Sequence, residues 1–442
     1  MNAKRDDRSG IMTRREFVGV TALTTAAVAT GCATNPVTGQ RQMMFISEEA
    51  EINVDKQHSP HQFSADYGPL QDPRLQSYIQ DITHNMAQKT HRPHMPYSGT
   101  VVNASYVNGY IFPGGTMAIT RGLMAQMEDE ATLAGLIGHE LGHVNARHTA
   151  QRMTKGMVTM LVLAGVGVAV AVKNEDYLPL VIGLGGIGAG ALLAKYSRND
   201  ERQADELGME YMVRSGYTPQ GMVSLMDILR SMNKRKPSAI EMMFSSHPMS
   251  DERYKTAAGR ARDSYASAAE NPRHRERYMD MTASIRAQAK LLDYLQDGDN
   301  AMRERKWEDA ETHYGAALKV SDSDYEGLMK MTKCQVAREQ LPEALRYVDR
   351  ARQAYPAEPQ SYQLGGLVAV RAKQYERAHH DFEHYTKVLP GNPLTDFYNG
   401  RALEGMGRKE AAAQRFKAFL EQVSSGEEAE YARQRLAEWG MV

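Results

Sequence analysis

The run Gly138-His139-Glu140-Leu141-Gly142-His143 sets two histidines four residues apart, with a glutamate beside the first. On a helix, residues four apart share a face, so His139 and His143 can turn imidazole nitrogens toward one metal ion while Glu140 points at its bound water. These are the parts of a zinc hydrolase. The residues from Ala131 to Ile137 are mostly apolar and run straight into the motif, which predicts a buried helix. A buried helix seldom carries His-Glu-His unpaired, because an unsatisfied polar group there costs about 2–7 kcal/mol.

A catalytic zinc needs a third protein ligand and an open fourth position. The extended H-E-x-x-H-x-x-G-x-x-H pattern would place that ligand at position 149, but Thr149 stands there, Ala146 replaces the glycine, and His148 is one residue off. Further on, the stretch Tyr196 to Glu206 offers carboxylates at helical spacing, with Glu201 and Asp205 four apart on one face. Glu201 can ligate while Asp205 accepts a hydrogen bond from the distal nitrogen of a ligand histidine, fixing its tautomer. From spacing alone, a charged and solvated helix explains this stretch equally well.

H-E-x-x-H followed by S-R-x-x-E-x-x-A-D, here Ser197, Arg198, Glu201, Ala204 and Asp205, resembles the HtpX-like and C-a-a-X-prenyl-protease-like zinc metallopeptidases. The likeness extends upstream to Asn103-Ala104, to Phe112-Pro113-Gly114-Gly115 before Arg121-Gly122-Leu123, and to the segment Cys32 to Gly39. It implies one zinc ion per chain held by His139, His143 and Glu201, with Asp205 behind them and Glu140 as general base. Ser246-His247-Pro248 through Glu252-Arg253 is similar to a family loop whose histidine approaches the metal. That similarity implies His247 and Arg253 at the catalytic centre, His247 capping the zinc in a resting state. On its own, a histidine in a polar loop is usually a surface residue.

The elements around the motif follow from pattern. Ser105-Tyr106-Val107 and Met117-Ala118-Ile119-Thr120 are β-favouring and are separated by the Pro113-Gly114-Gly115 turn. An edge strand here would bind an extended peptide through main-chain hydrogen bonds; an ordinary core hairpin is the plain alternative. The segment Tyr217 to Arg286 is polar and mostly helical, punctuated by Pro237, Pro248 and Pro272.

From about residue 290 the chain repeats every 34 residues, the tetratricopeptide spacing. Ala310, Ala344, Ala378 and Ala412 form one column, and Tyr314, Val348, Phe382 and Phe416 a second. Gly298, Thr332, Gly366 and Gly400 form a third, small residues where paired helices would cross, and Pro356 and Pro390 end helices. Thr332 and the missing prolines of the outer repeats mark an imperfect array. Such a solenoid offers a concave protein-binding surface.

The 442 residues suffice for two or three cores, and a net charge of −1 argues against a nucleic-acid binder, which would carry a basic excess. The 27 methionines read as core filler. Residues 1–31 read as an export signal. Thr13-Arg14-Arg15-Glu16-Phe17-Val18 resembles a twin-arginine motif, a Sec signal being the alternative, and an apolar run ends at Ala29-Thr30-Gly31-Cys32. Cys32 is a candidate for acylation, though Ala29 stands where a lipobox usually has leucine. Ala33 rather than Asp, by resemblance to bacterial lipoproteins, points to the periplasmic face of the outer membrane. With Cys32 acylated, Cys334 is the one cysteine left, so no intrachain disulfide forms.

The expected fold is mainly α. A zincin-type α+β metallopeptidase domain with a small sheet spans 32–286, and a tetratricopeptide α-solenoid spans 287–442. Within the first domain, residues 157–194 form an apolar hairpin near the lower limit of about 17–25 residues per spanning helix, expected to pack on the domain or touch lipid. Two functions fit. One is an endopeptidase that cuts misfolded or stalled envelope proteins, its repeats docking substrate or an outer-membrane assembly machine. The other is an assembly chaperone or adaptor with little proteolysis. Intact Glu140 favours the endopeptidase.

Overall fold

The computed structural model describes residues 32–165, 195–235 and 237–441. The export segment 1–31, the side chain of Cys32 and hairpin residues 166–194 lie outside the described residues. Among those described, no helix is long and apolar enough to cross a membrane. The protein is mainly helical with two small sheets.

The antiparallel pair β1 (Cys32–Thr34) and β2 (Arg41–Met43) precedes helices Glu48–Ala65 and Pro73–Ala87. A three-stranded sheet follows, β3 (Ser98–Val102), β4 (Gly109–Ile111) and β5 (Thr116–Thr120), in the order β3-β5-β4. β3 runs parallel to β5, and β4 pairs antiparallel with it through the turn in which Gly115 takes a φ of 107°. The outer side of β3 is closed by Gln76 and Gln80, which bond the main chain of Val101 and Gly99 at 2.8–2.9 Å. β4 is therefore the edge. One expectation needs correction here. Ser105-Tyr106-Val107 is not a strand but the loop between β3 and β4, because its polar groups are bonded to helices rather than to a sheet neighbour, as shown below.

The motif helix Glu130–Asn145 lies at the centre of the domain with all its residues buried. Asp129 caps its start by accepting from Thr132 N, and Glu130 in the first turn takes bonds from Tyr78 Oη, Tyr217 Oη and Arg277. Negative groups at a helix N-terminus complement the helix dipole. At the other end, buried Arg92 donates to Val144 O at 2.7 Å and is itself neutralised by Glu51 at 2.7 Å.

Helices Gln220–Arg235, Pro237–Ser246 and Asp251–Asp263 cover the site, and from Ala289 onward the chain forms antiparallel helix pairs. The three repeat columns pack against one another as their residue sizes require. A Cβ on Gly298, Gly366 or Gly400 would lie 2.3–2.7 Å from the ring of Tyr314, Phe382 or Phe416 respectively. Where the small residue is Thr332, the second column carries the smaller Val348, and both are fully buried. The first column, Ala310, Ala344, Ala378 and Ala412, is fully buried throughout.

The repeats do not hang from the catalytic region by a linker. A single hydrophobic cluster runs from Tyr67 through the motif helix to Ala351 in the repeats. A buried polar cluster crosses the same boundary. Arg121 pairs with Asp324 at 2.7 Å and Glu326 at 2.8 Å, and Glu326 Oε1 accepts from Ser105 N and Oγ at 2.9 and 2.8 Å. Lys330 bonds Ser105 Oγ at 3.0 Å and Glu326 at 2.9 Å, and Gln296 donates to Ser105 O at 2.8 Å. The β3–β4 loop is thus fixed by helices Ala289–Arg303 and Tyr325–Ala337.

Asp324 also caps the helix Tyr325–Ala337 by accepting from Gly327 N. Burial works to raise its carboxyl, but Arg121 holds it below the usual value of 3.8. A carboxylate depressed in the folded state stabilises fully above that usual value, and its contribution is lost as pH falls below it. Asp324→Asn keeps the cap and the shape but removes the charge facing Arg121. We predict a loss of about 1–3 kcal/mol at pH 7 in urea unfolding, with a weaker dependence of stability on pH below 4 than wild type shows. Equal stability of the two proteins at pH 7 would contradict it.

Candidate metal centre

The motif helix and the helix Arg198–Arg214 approach at backbone contact. A Cβ on Gly138 would sit 2.5 Å from Gly208 O, and one on Gly142 would sit 2.8 Å from Ala204 O. Conversely, a Cβ on Gly208 would sit 2.6 Å from His139 N. Each motif histidine is therefore preceded by a glycine that lets the second helix come near, and this closeness sets Glu201 and Asp205 against His139 and His143. Ser197 and Asp200 form a capping box that fixes where the second helix starts.

Ligand atoms of His139, His143, Glu201 and His247 all lie within 4.8 Å of one another, and all four residues are buried. His139 Nε2 and His143 Nε2 are 3.1 Å apart, His143 Nε2 is 3.5 Å from Glu201 Oε1, and His139 Nε2 is 3.7 Å from Glu201 Oε2. A tetrahedron of zinc ligands with bonds of about 2.0–2.1 Å has edges of about 3.3 Å, which these separations bracket. Two imidazoles and a carboxylate are a donor set that suits zinc. His247 Nδ1 lies 3.4 Å from His139 Nε2 and 3.1 Å from Glu201 Oε1, at the corner that would complete the tetrahedron.

Both carboxylate oxygens of Glu140 are buried and lack a hydrogen-bond partner among the described residues. Burial pushes this carboxyl up, and His247 and His139 only partly offset the shift. His247 Nε2 is 3.8 Å from Glu140 Oε1. A buried carboxylate without partners is costly, and beside a metal site it is positioned to take a proton from water. Burial and the neighbouring imidazoles hold His143 well below its usual pKa, in the neutral form that a metal ligand requires.

Behind the ligands, His139 Nδ1 meets Asp205 Oδ1 at 2.9 Å. Arg253 grips that carboxylate with Nε and Nη2, both at 2.7 Å, while its Nη1 lies 2.6 Å from Glu201 Oε2 and donates to Pro248 O at 2.9 Å. Burial alone would raise the Asp205 carboxyl, yet Arg253 and His139 hold it down to about 2. Burial also opposes ionisation of Glu201, which His247, His139 and Arg253 nonetheless keep below its usual value.

The structure brings His139, Glu140, His143, Glu201, Asp205 and His247 together as the sequence suggests. Arg253 lies at the same centre, its nitrogens engaged with Asp205, Glu201 and Pro248 O. Sequence reasoning missed Tyr196, whose ring stacks on His143 with centroids 3.8 Å apart, and it missed Gly208. The glycine before each motif histidine was the available signal for Gly208; none marked Tyr196.

Residues 73–261 match the family model described as Peptidase family M48. The beta-barrel assembly-enhancing protease of Yersinia pestis is 27% identical over 195 residues, which are 43% of this chain and 40% of that protein. The metalloprotease YcaL of Escherichia coli strain K12 is 33% identical over 165 residues, 35% of this chain and 61% of that one. The match thus spans less than two thirds of the length of either relative. Among solved structures, YrrB, described as a TPR protein with an unusual peptide-binding site, aligns with 14% identity and a TM-score of 0.31, covering 47% of this chain and 97% of that one.

The helix contact is testable through Gly208. Gly208→Ala forces the helices apart and should cost about 1–3 kcal/mol, as overpacking does. Zinc content by elemental analysis should fall well below one per chain. Full zinc occupancy in a folded variant would contradict this account of how the ligands converge.

Proposed function

We propose that this chain, which carries a domain of peptidase family M48 at residues 73–261, is a zinc-dependent endopeptidase acting on unfolded or misassembled proteins of the cell envelope. The observation that carries the proposal is the convergence of His139, His143 and Glu201 at zinc-ligand separations beside the unpartnered carboxylate of Glu140. Zinc held there would lower the pKa of a bound water to about 7 and polarise the scissile carbonyl. Glu140 would be the base that takes a proton from water there and returns it to the leaving nitrogen. Asp205 holds His139 in the tautomer that leaves Nε2 free, Arg253 holds Asp205 ionised, and His247, His139 and Arg253 together keep Glu201 ionised.

Substrate enters beside β4. Tyr110 pairs with Ala118, and the bonds from Phe112 N to Thr116 O and from Thr120 N to Asn108 O continue the same alternation. The main-chain groups of Gly109 and Ile111 therefore turn away from β5, toward the side on which β4 has no strand neighbour. An extended peptide can pair there largely irrespective of its side chains, which calls for an unfolded or looped substrate. Gly109, Tyr110 and Ile111 are buried, as is His247 at the fourth corner of the ligand set. In the proposed resting state His247 would hold the fourth position on the metal. The repeats present substrate or dock the catalytic domain on an outer-membrane assembly machine. A periplasmic location with a lipid on Cys32 belongs to the same proposal; an unmodified Cys32 in the mass of the envelope-extracted protein would remove the anchor.

Glu140→Gln should retain zinc and fold while cleavage of an unfolded test protein falls by about 10²–10⁴-fold, the usual worth of a positioned general base. Wild-type digestion by that variant would sink the hydrolytic assignment. His247→Ala should retain zinc and digest the same protein several-fold faster at equal enzyme concentration. Unchanged turnover would argue against the cap.

A further inference from the structure

His148 stands one residue short of the position at which the extended histidine pattern would supply a third ligand, and its ring is buried against the metal centre. Its Nδ1 lies 3.0 Å from Nδ1 of His143, and its Nε2 lies 3.0 Å from Oε1 of Gln203 on the helix that also carries Glu201. The backbone is bent to bring it there. Arg147, just before it, adopts the left-handed conformation at φ 59°, uncommon for a residue with a side chain. That turn is secured by bonds from Arg147 to Ile46 O at 2.7 Å and to both oxygens of Glu51 at 3.2 Å. Thr149, the next residue, bonds Tyr196 Oη at 3.0 Å, and Tyr196 stacks on the face of His143.

We propose that His148 and Gln203 form a relay that fixes the tautomer and ring orientation of His143, so that His148 is a positioning residue for the metal site. The inference rests on His143 Nε2 being a metal ligand. A neutral imidazole carries one proton. With Nε2 given to the metal, the proton of His143 is on Nδ1 and is donated to Nδ1 of His148. That nitrogen then accepts, so the proton of His148 is on Nε2, where Gln203 Oε1 receives it. Every nitrogen and the amide oxygen have one consistent role. The two ligand histidines are thereby held in different ways: His139 by a carboxylate with an arginine behind it, His143 by a neutral imidazole with an amide behind it. Partners of this kind usually change metal affinity by about 10–100-fold when removed.

Asparagine places an acceptor oxygen at the same branch point as the Nδ1 of histidine, whereas leucine offers none. The test compares zinc dissociation constants of wild type, His148→Leu and His148→Asn by competition with a chromophoric chelator. His148→Leu should bind zinc about 10–100-fold more weakly, and His148→Asn within about threefold of wild type. Equal affinity for the leucine variant, or an asparagine variant as weak as the leucine one, overturns the relay. Should His148→Leu fail to fold by circular dichroism, nitrogen-15 spectra of zinc-loaded wild type decide. A scalar coupling between Nδ1 of His143 and Nδ1 of His148 supports the shared proton, and its absence overturns it. A wild-type chain that takes up no zinc removes the metal reading itself, and the relay with it.

Discussion

The structure depends on two helices touching backbone to backbone. The motif helix supplies two imidazoles and a general base; the helix Arg198–Arg214 supplies the carboxylates. Side chains of these lengths cluster within 4.8 Å because glycine stands at 138, 142 and 208, where even one added methyl would strike the opposite backbone. Glycine inside a helix is unfavourable by about 0.5–1 kcal/mol each relative to alanine. That cost is offset by packing and by the bonds that hold the motif helix at both ends, through Asp129, Glu130 and Arg92.

The cluster this contact creates gathers charge away from bulk solvent. His139, Glu140, His143, Glu201, Asp205, His247 and Arg253 are all buried. Arg253 makes the arrangement tolerable by holding the Asp205 carboxyl down against burial, while His247, His139 and Arg253 together keep Glu201 below its usual value. Glu140 accepts no hydrogen bond among the described residues, and burial pushes its carboxyl up, with His247 and His139 only partly offsetting it. Structural demand and chemical use separate here: the paired acids hold and orient, and the unpaired one is available to move a proton. The repeats bear on the same region. Glu326 fixes Ser105, and Val107 N donates to Ala239 O at 2.8 Å on the helix that ends just before His247.

Much of this was legible in the chain. The four-residue spacing of His139 and His143 gives one face of one helix under any fold, and the same holds for Glu201 and Asp205. The repeat columns were readable because a solenoid forces each glycine to receive the ring of its own repeat, with Thr332 facing the smaller Val348. The sequence misled at Ser105-Tyr106-Val107, whose β-favouring side chains say nothing about Glu326 and Gln296, more than 190 residues away, taking up the hydrogen bonds a strand would need. The bonds that Arg253 makes were not legible in the sequence for a related reason. Its nearness to His247 along the chain is visible in the sequence, whereas the direction of its guanidinium is set by a carboxylate on another helix. Stacking of Tyr196 on His143 left no trace in spacing, because the two residues lie more than fifty positions apart on different segments of the chain.

The most direct test of the central claim is anomalous diffraction at the zinc edge from crystals of the zinc-loaded protein. A single strong peak should stand about 2.0–2.2 Å from His139 Nε2, His143 Nε2 and a carboxylate oxygen of Glu201. A peak bonded elsewhere, or one that leaves any of these three atoms outside bonding distance, would contradict the account.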